Sequence, residues 1–242
     1  FSYDHHGAFS CPSAEETLEG INRELERGHE ALSAADYVIL TFGTAWVYRL
    51  AGDGRVVANC HKQPASEFRR EMAGVDEIVY AYRKLLQGVL AGRQVLFTVS
   101  PVRHVRDGFE DNSLSKAVLR MAIARLVEEF PNVWYFPSFE IVNDDLRDYR
   151  FYAEDMVHPS QQAVDYIWEK FVDFAMERSV RALLPKLGRL NAAMEHRVMR
   201  GGSGVAVFCD RSLELVAELQ KALPDVDFSR ERTHFEQMRA GM

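Results

Sequence analysis

Basic charge is in short supply in this chain: Lys and Arg total 29 against 36 Asp and Glu, a net charge of −7. A protein that holds nucleic acid through its phosphates needs surplus cations to displace condensed counterions, so no nucleic-acid partner is expected. The local basic cluster Arg69-Arg70 stands between Glu67 and Glu71 and reads as a solvated helix face. Cysteine is scarce too. Cys11, Cys60 and Cys209 are odd in number and far apart, which argues against a disulfide framework or a zinc ribbon and suits a cytoplasmic location. No apolar run approaches the roughly 18 residues of a membrane span. The first residues, Phe1-Ser2-Tyr3-Asp4-His5-His6, lack the basic and apolar regions of a signal peptide. They also lack an initial Met, and the expectation is the inner part of a longer protein.

What is present is globular. Hydrophobic residues make up 47% and charged residues 27% of 242, enough for one large domain or a domain with an appendage. Ser13 followed by Glu16 is a capping box, and a helix over about 14–34 follows it. The apolar run Tyr37–Phe42, stopped by Gly43, predicts a buried strand. Residues 46–50 and 55–58 flank Gly52-Asp53-Gly54 and predict a hairpin. Val75, Ile78, Val79, Tyr82, Leu85, Leu86 and Val89 recur at helical spacing, with Gly92 as a stop. Gln94–Val99 predicts a second buried strand. A helix from about Asn112 carries Leu119, Ile123, Leu126 and Val127 on one face, and Val133–Phe136 is a third strand. After about 20 irregular residues, Pro159-Ser160 opens another helix.

Strands alternating with helices predict an α/β fold, a parallel sheet with helices on both faces, over residues 1–180. Residues 181–242 read as a mainly helical extension, suited to a homo-oligomer contact. They comprise a helix near 180–198, a flexible Gly201-Gly202-Ser203-Gly204 joint and a short strand Val205–Phe208. A helix Leu213–Leu223 and a loosely held polar tail complete the extension.

Ligands of open α/β sheets sit beyond the carboxyl ends of the strands. Gly43-Thr44-Ala45-Trp46, Ser100-Pro101-Val102-Arg103-His104 and Asn59-Cys60-His61-Lys62 therefore draw attention. The foremost candidate is Asp155-Met156-Val157-His158-Pro159, ahead of a helix. There the Asp155 carboxylate can hold one nitrogen of His158 and leave the other as a base for a hydroxyl nucleophile. A D-x-x-H spacing arises by chance in about one such sequence in two, so a structural cap or ion pair fits it as well. Ser100 reads either as a strand-end hydrogen bonder or as part of a turn, and Arg103 and His104 as donors to an anionic or acyl oxygen or as surface charges. Asp4-His5-His6 lacks a third metal ligand at suitable spacing, and no metal is expected. Cys60 reads as inert and His61 as a substrate contact. Arg147–Tyr152 reads as a packed, ion-paired loop, and His29, His196 and His234 as helix-surface residues. The glycine cluster at 201–204 has no Lys-Ser/Thr tail and is no phosphate loop.

Four segments together resemble the GSCFA-domain family of SGNH/GDSL hydrolases. They are Phe42–Tyr48, Asn59–Lys62, Thr98–His104 and Asp144–Pro159. The resemblance covers most of residues 1–175 and implies a flavodoxin-like three-layer α/β/α sandwich that acts on O-acyl esters, acetylated saccharides among them, without a cofactor. It casts His158 as general base and Asp155 as its orienter, with Gly43, Thr44, Asn59, His61, Ser100, Arg103 and His104 around the substrate and its oxyanion. In that pattern an asparagine oxyanion donor belongs where Ala45 stands. The donor is then a backbone N–H, Thr44 or a residue of Asn59–Lys62; such a donor is worth about 2.7–4 kcal/mol of barrier. The Gly-Ser-Cys-Phe-Ala segment with the family's presumed nucleophile is not among these residues, and Phe9-Ser10-Cys11 does not match its place. The serine is expected upstream of Phe1. A non-catalytic domain that recognises a sugar or acyl group is the alternative.

Overall fold

The computed structural model describes residues 1–196 and 204–240. The chain divides into two compact units, Phe1–Glu169 and Lys170–Met242. Helix α1 (Ala14–Ala34) opens the first unit. Ser13 Oγ accepts the N–H of Glu16 at 3.0 Å, and Glu15 and Glu16 sit at the positive end of the helix dipole. Strand β1 (Tyr37–Phe42) follows directly, then an antiparallel excursion of β2 (Trp46–Leu50), β3 (Val56–Val57) and β4 (Phe68–Met72) in the order β3-β2-β4.

Strand β4 corrects the sequence reading of Arg69-Arg70 as a helix face. Arg69 lies opposite Arg49, Arg70 opposite Tyr48 and Glu71 opposite Val47. Alternation decides it: Phe68, Arg70 and Met72 share one face of the strand, and there the Arg70 guanidinium lies 4.2 Å from the Trp46 ring centroid and pairs with Asp107. A charge on a pleated edge is as well solvated as one on a helix, so composition alone did not separate the two.

Helix α2 (Val75–Gln87) leads to β5 (Gln94–Val99), and helix α3 (Gly108–Glu129) to β6 (Val133–Phe136). β5 is the centre of a parallel sheet ordered β1-β5-β6, with Tyr37 beside Gln94, Phe42 beside Val99, and Val95 beside Val133. Val95, Phe97 and Val99 on one face are fully buried and Thr98 on the other is buried as well, so the strand is covered on both faces and reads as apolar without a clean alternation. Ile78, Val79 and Leu86 of α2 and Leu119, Ala122, Ile123 and Leu126 of α3 share its core. α3 begins earlier than the expected Asn112. Gly108, at φ +77°, turns the chain from a 3-10 turn at Val105–Asp107 into the helix, and Asn112 instead accepts the N–H of His104 at 2.9 Å.

The segment expected to be irregular is largely helical. Helix α4 (Ser138–Glu140) runs into a π-helical stretch over Ile141–Leu146, closed by left-handed Arg147, and a 3-10 turn at Tyr149–Phe151 follows. α5 (Gln161–Ala175) crosses the division between the units.

The second unit contains α6 (Arg178–Arg181), α7 (Leu184–Glu195), α8 (Gly204–Ala222) and α9 (Ser229–Ala240). Its core is Leu190, Val216, Leu219, Phe228 and Phe235. Val205–Phe208 is the start of α8, not a strand, because Val205, Cys209, Ser212, Val216 and Leu219 bury one stripe at helical spacing. The tail over 229–240 is not loosely held: Phe235 is fully buried and Arg239 pairs with Asp210 at 3.1 Å. The joint read at 201–203 lies outside the described residues.

Candidate active site

The D-x-x-H turn is built by its own backbone. Met156, at φ +59°, brings the N–H groups of Val157 and His158 onto one oxygen of Asp155, Oδ1, at 2.9 and 3.0 Å. The other oxygen, Oδ2, meets His158 Nδ1 at 2.6 Å. The turn is clamped by the N–H of Ala153 donating to His158 O at 2.7 Å, the N–H of Ser160 donating to Phe151 O at 2.8 Å, and a bridge between Tyr152 and Pro159. The backbone N–H of His158 foremost, then its ring, and then the N–H of Val157 hold the Asp155 carboxyl down to a pKa of about 2. An ionised carboxylate only accepts hydrogen bonds, so Nδ1 carries a ring proton, and in the neutral imidazole Nε2 keeps its lone pair. Both side chains are about half exposed. A carboxylate-oriented imidazole open to solvent can take a proton from an incoming hydroxyl.

A second cluster lies at the carboxyl ends of β1 and β5. The N–H of Ser100 donates to Phe42 O at 2.8 Å. Lys116 of α3, only 1% exposed, donates from Nζ to Gly43 O at 2.6 Å and to Ser100 O at 2.7 Å. Burial lowers its pKa to about 8. Its neighbour Ser115 accepts the N–H of Ala45 at 2.7 Å and shares a hydrogen bond with Thr44 Oγ1 at 3.0 Å; Thr44 Oγ1 in turn accepts the N–H of Trp46 at 3.2 Å. The His104 ring lies over Gly43, with Nε2 3.7 Å from where a Cβ at that position would stand. Ser100 Oγ accepts the N–H of Val102 at 3.2 Å. The N–H of Ala45 and the Thr44 hydroxyl are thus committed, while the N–H groups of Gly43 and Thr44 have no acceptor among the described residues. Beside them opens a cavity of about 310 Å³ lined by Val47, Ala73, Ile78, Tyr82 and Leu119.

The structure therefore gathers Gly43, Thr44, Ser100 and His104. Arg103 links that cluster to the D-x-x-H turn, its N–H donating to Val157 O at 3.4 Å. Asn59 and His61 hold the N-terminal segment: the N–H of Asn59 donates to Tyr3 O, Asn59 Oδ1 accepts the N–H of His61, and His61 Nε2 lies 2.8 Å from Ser2 O with its ring stacked on Phe1. Burial pushes the Cys60 thiol pKa up, away from thiolate chemistry. Asp4 pairs with Arg55, while His5 and His6 bond Ser2 Oγ and the N–H of Ala8. Another cavity, about 720 Å³ among Asn191, Glu195, Ser229, Arg230 and His234, lies in the second unit and holds none of the candidate residues.

Ser115 and Lys116 were missed by sequence reasoning. The signal was available, because they lie four and three residues before Leu119 on the buried stripe of α3, and polar groups on such a stripe are paired when buried. Ser115→Ala leaves the N–H of buried Ala45 unsatisfied and is expected to cost about 2 kcal/mol in urea unfolding. An unchanged midpoint would refute that role.

Among curated proteins and among solved structures, nothing matches the chain. The profile of the GSCFA family matches residues 1–171, a span that includes β1, β5, β6 and the D-x-x-H turn. The chain belongs to the GSCFA family.

Proposed function

We propose that this chain is the base-bearing part of an SGNH-type hydrolase or acyltransferase of three-layer α/β/α architecture, acting on O-acyl esters such as acetylated saccharides. The observation that carries the reading is the Asp155–His158 pair, with its carboxylate locked by two backbone N–H groups and its ring proton on Nδ1. In this mechanism His158 Nε2 takes the proton of a serine hydroxyl as that oxygen attacks the ester carbonyl. The N–H groups of Gly43 and Thr44 receive the oxyanion, with His104 beside them, and the cavity next to them takes the acyl group. His158 then gives its proton to the leaving alcohol. Water or a sugar hydroxyl completes the second half by the same route in reverse, and no cofactor is called for. The serine belongs to a segment preceding Phe1, as the family resemblance implies.

A second reading, a non-catalytic domain that recognises a sugar or acyl group, is favoured by one observation. No serine hydroxyl among the described residues is hydrogen-bonded to His158. Labelling with a fluorophosphonate, read by intact mass, separates the two. In the longer natural protein an upstream serine is expected to become labelled, and its His158→Ala variant to remain unlabelled. Absence of an adduct on the longer protein would establish the binding reading instead.

A further inference from the structure

The stretch Arg147–Tyr152 is packed through Phe151 and Tyr152 and ion-paired through Arg150 and Asp148, as the sequence reading expects, and it also helps enclose a cavity of about 90 Å³ together with Arg103 and Asn143. Three features make this cavity unlike a packing gap. The Arg103 guanidinium lies against two rings, 4.1 Å from the Tyr152 centroid and 5.2 Å from the Tyr149 centroid. Stacking satisfies its faces and leaves its N–H edge for an in-plane acceptor. Neither Arg103 nor Arg147 has a carboxylate partner among the described residues, although other arginines of this unit, Arg49, Arg83 and Arg120 among them, hold a Glu. Finally, Tyr152 is 8% exposed, and its hydroxyl is buried without a hydrogen-bond partner. Buried hydroxyls are almost always paired, so an orphaned one beside two free arginines points to an absent acceptor.

The acidic group at the cavity, Asp148, is occupied locally. Its Oδ1 accepts the N–H of Arg150 at 2.9 Å and its Oδ2 lies 3.9 Å from Arg150 Nε. Asn143 donates its Nδ2 to Phe139 O at 2.9 Å, which leaves its amide oxygen as a second, weaker acceptor at the wall. The balance of charge is cationic. The cavity adjoins the base: Arg103 bonds Val157, and Tyr152 bridges Pro159.

We infer that Arg103, Arg147 and Tyr152 form a subsite for a small oxyanion, and that the ester substrate carries one, a carboxylate or a phosphate, next to its acyl linkage. The oxyanion subsite stands on its own geometry; its assignment to the substrate rests on the hydrolase reading above. A cavity of about 90 Å³ holds a single group of a few heavy atoms, so the remainder of the substrate extends outward.

The 242-residue chain is titrated with inorganic phosphate and, separately, with acetate, followed by ¹H–¹⁵N NMR. Saturable shifts at Arg103 and Tyr152 are expected with one of the two, and which one identifies the anion. Arg103→Gln should weaken binding roughly tenfold or more, the loss of one charge-assisted contact. Arg147→Gln, at an exposed position, supplies a second loss of binding if the first variant folds poorly. Tyr152→Phe should weaken binding and at the same time raise the Tm by about 3 °C, because it removes a buried hydroxyl without a partner. A purely structural role predicts no such opposition of signs. No shift with either anion, or unaltered binding in both arginine variants, would overturn the subsite. Fluorophosphonate labelling of the serine-bearing protein keeps the two ideas apart. Labelling without anion binding removes the anionic substrate and leaves the hydrolase. Anion binding without labelling leaves the subsite and overturns its assignment to an ester substrate.

Discussion

In an Asp155→Asn variant, the His158 ring is expected to move its proton from Nδ1 to Nε2, and the serine-bearing protein to lose about 10⁴-fold in acylation rate. The geometry forces this outcome. Oδ1 of residue 155 accepts two backbone N–H groups, at 2.9 and 3.0 Å, so in the variant the amide oxygen must occupy that place. The amide NH₂ is then presented to the ring position that Oδ2 now holds at 2.6 Å from Nδ1. A donor there makes Nδ1 the acceptor and sends the ring proton to Nε2, the nitrogen proposed above to accept the serine proton. The fold is untouched, because the turn keeps both of its backbone bonds. Long-range ¹H–¹⁵N spectra of the present chain read the tautomer directly, and an unchanged tautomer would refute the assignment whether or not the protein is an enzyme. In the wild type the same two N–H groups and the ring hold Asp155 near a pKa of 2. The carboxylate is therefore ionised from about pH 3 upward, and the protonated state that would release the ring is reached only in strong acid.

How far the sequence discloses this arrangement depends on how local each feature is. Asp155 and His158 lie three residues apart on one turn, so their contact could be anticipated from spacing alone. β1, β5 and α1 were equally plain, since an apolar strand or a capped amphipathic helix announces itself within its own residues. β4 did not: its period-2 pattern is carried by Phe68, Arg70 and Met72, and its partner strand β2 lies some twenty residues away. Val205–Phe208 is a short apolar run of the kind periodicity cannot assign, and only the stripe through Val216 and Leu219 shows it to be helical. The polar tail over 229–240 is held by the burial of Phe235, which composition does not reveal. Least legible were Ser115 and Lys116, whose partners Thr44 and Gly43 are 71 and 73 residues distant. A buried lysine shows its purpose only when the two strand ends it joins are seen together.

That lysine sets the second large effect, a dependence of stability on pH that Lys116→Met should abolish. Burial brings the Lys116 pKa to about 8 from an ordinary 10.5, so between these values the unfolded chain holds a proton that the folded one has released. Stability rises with pH wherever the unfolded state binds more protons. Lys116 is therefore expected to add about 3 kcal/mol of stability between pH 8 and 10.5, and none below pH 8, where both states are charged. Other groups titrate in this range, so the measurement is the difference between wild-type and variant unfolding free energies in urea at a series of pH values. Two opposing terms of similar size make the neutral-pH change small, within about 2 kcal/mol. Two carbonyls lose their donor at about 1–3 kcal/mol each, while the penalty of a buried charge disappears. Parallel curves for the two proteins would show that Lys116 is not buried as described. A divergence above pH 8 would instead show that the chain keeps a costly cation between Gly43 O and Ser100 O, 2.6 and 2.7 Å away. Apolar packing would close the sheet as well, so the gain from the ammonium lies in orientation. Its bond to Gly43 O fixes that peptide plane and with it the N–H of Thr44, which points away from the carbonyl and is one of the groups proposed above to receive the oxyanion.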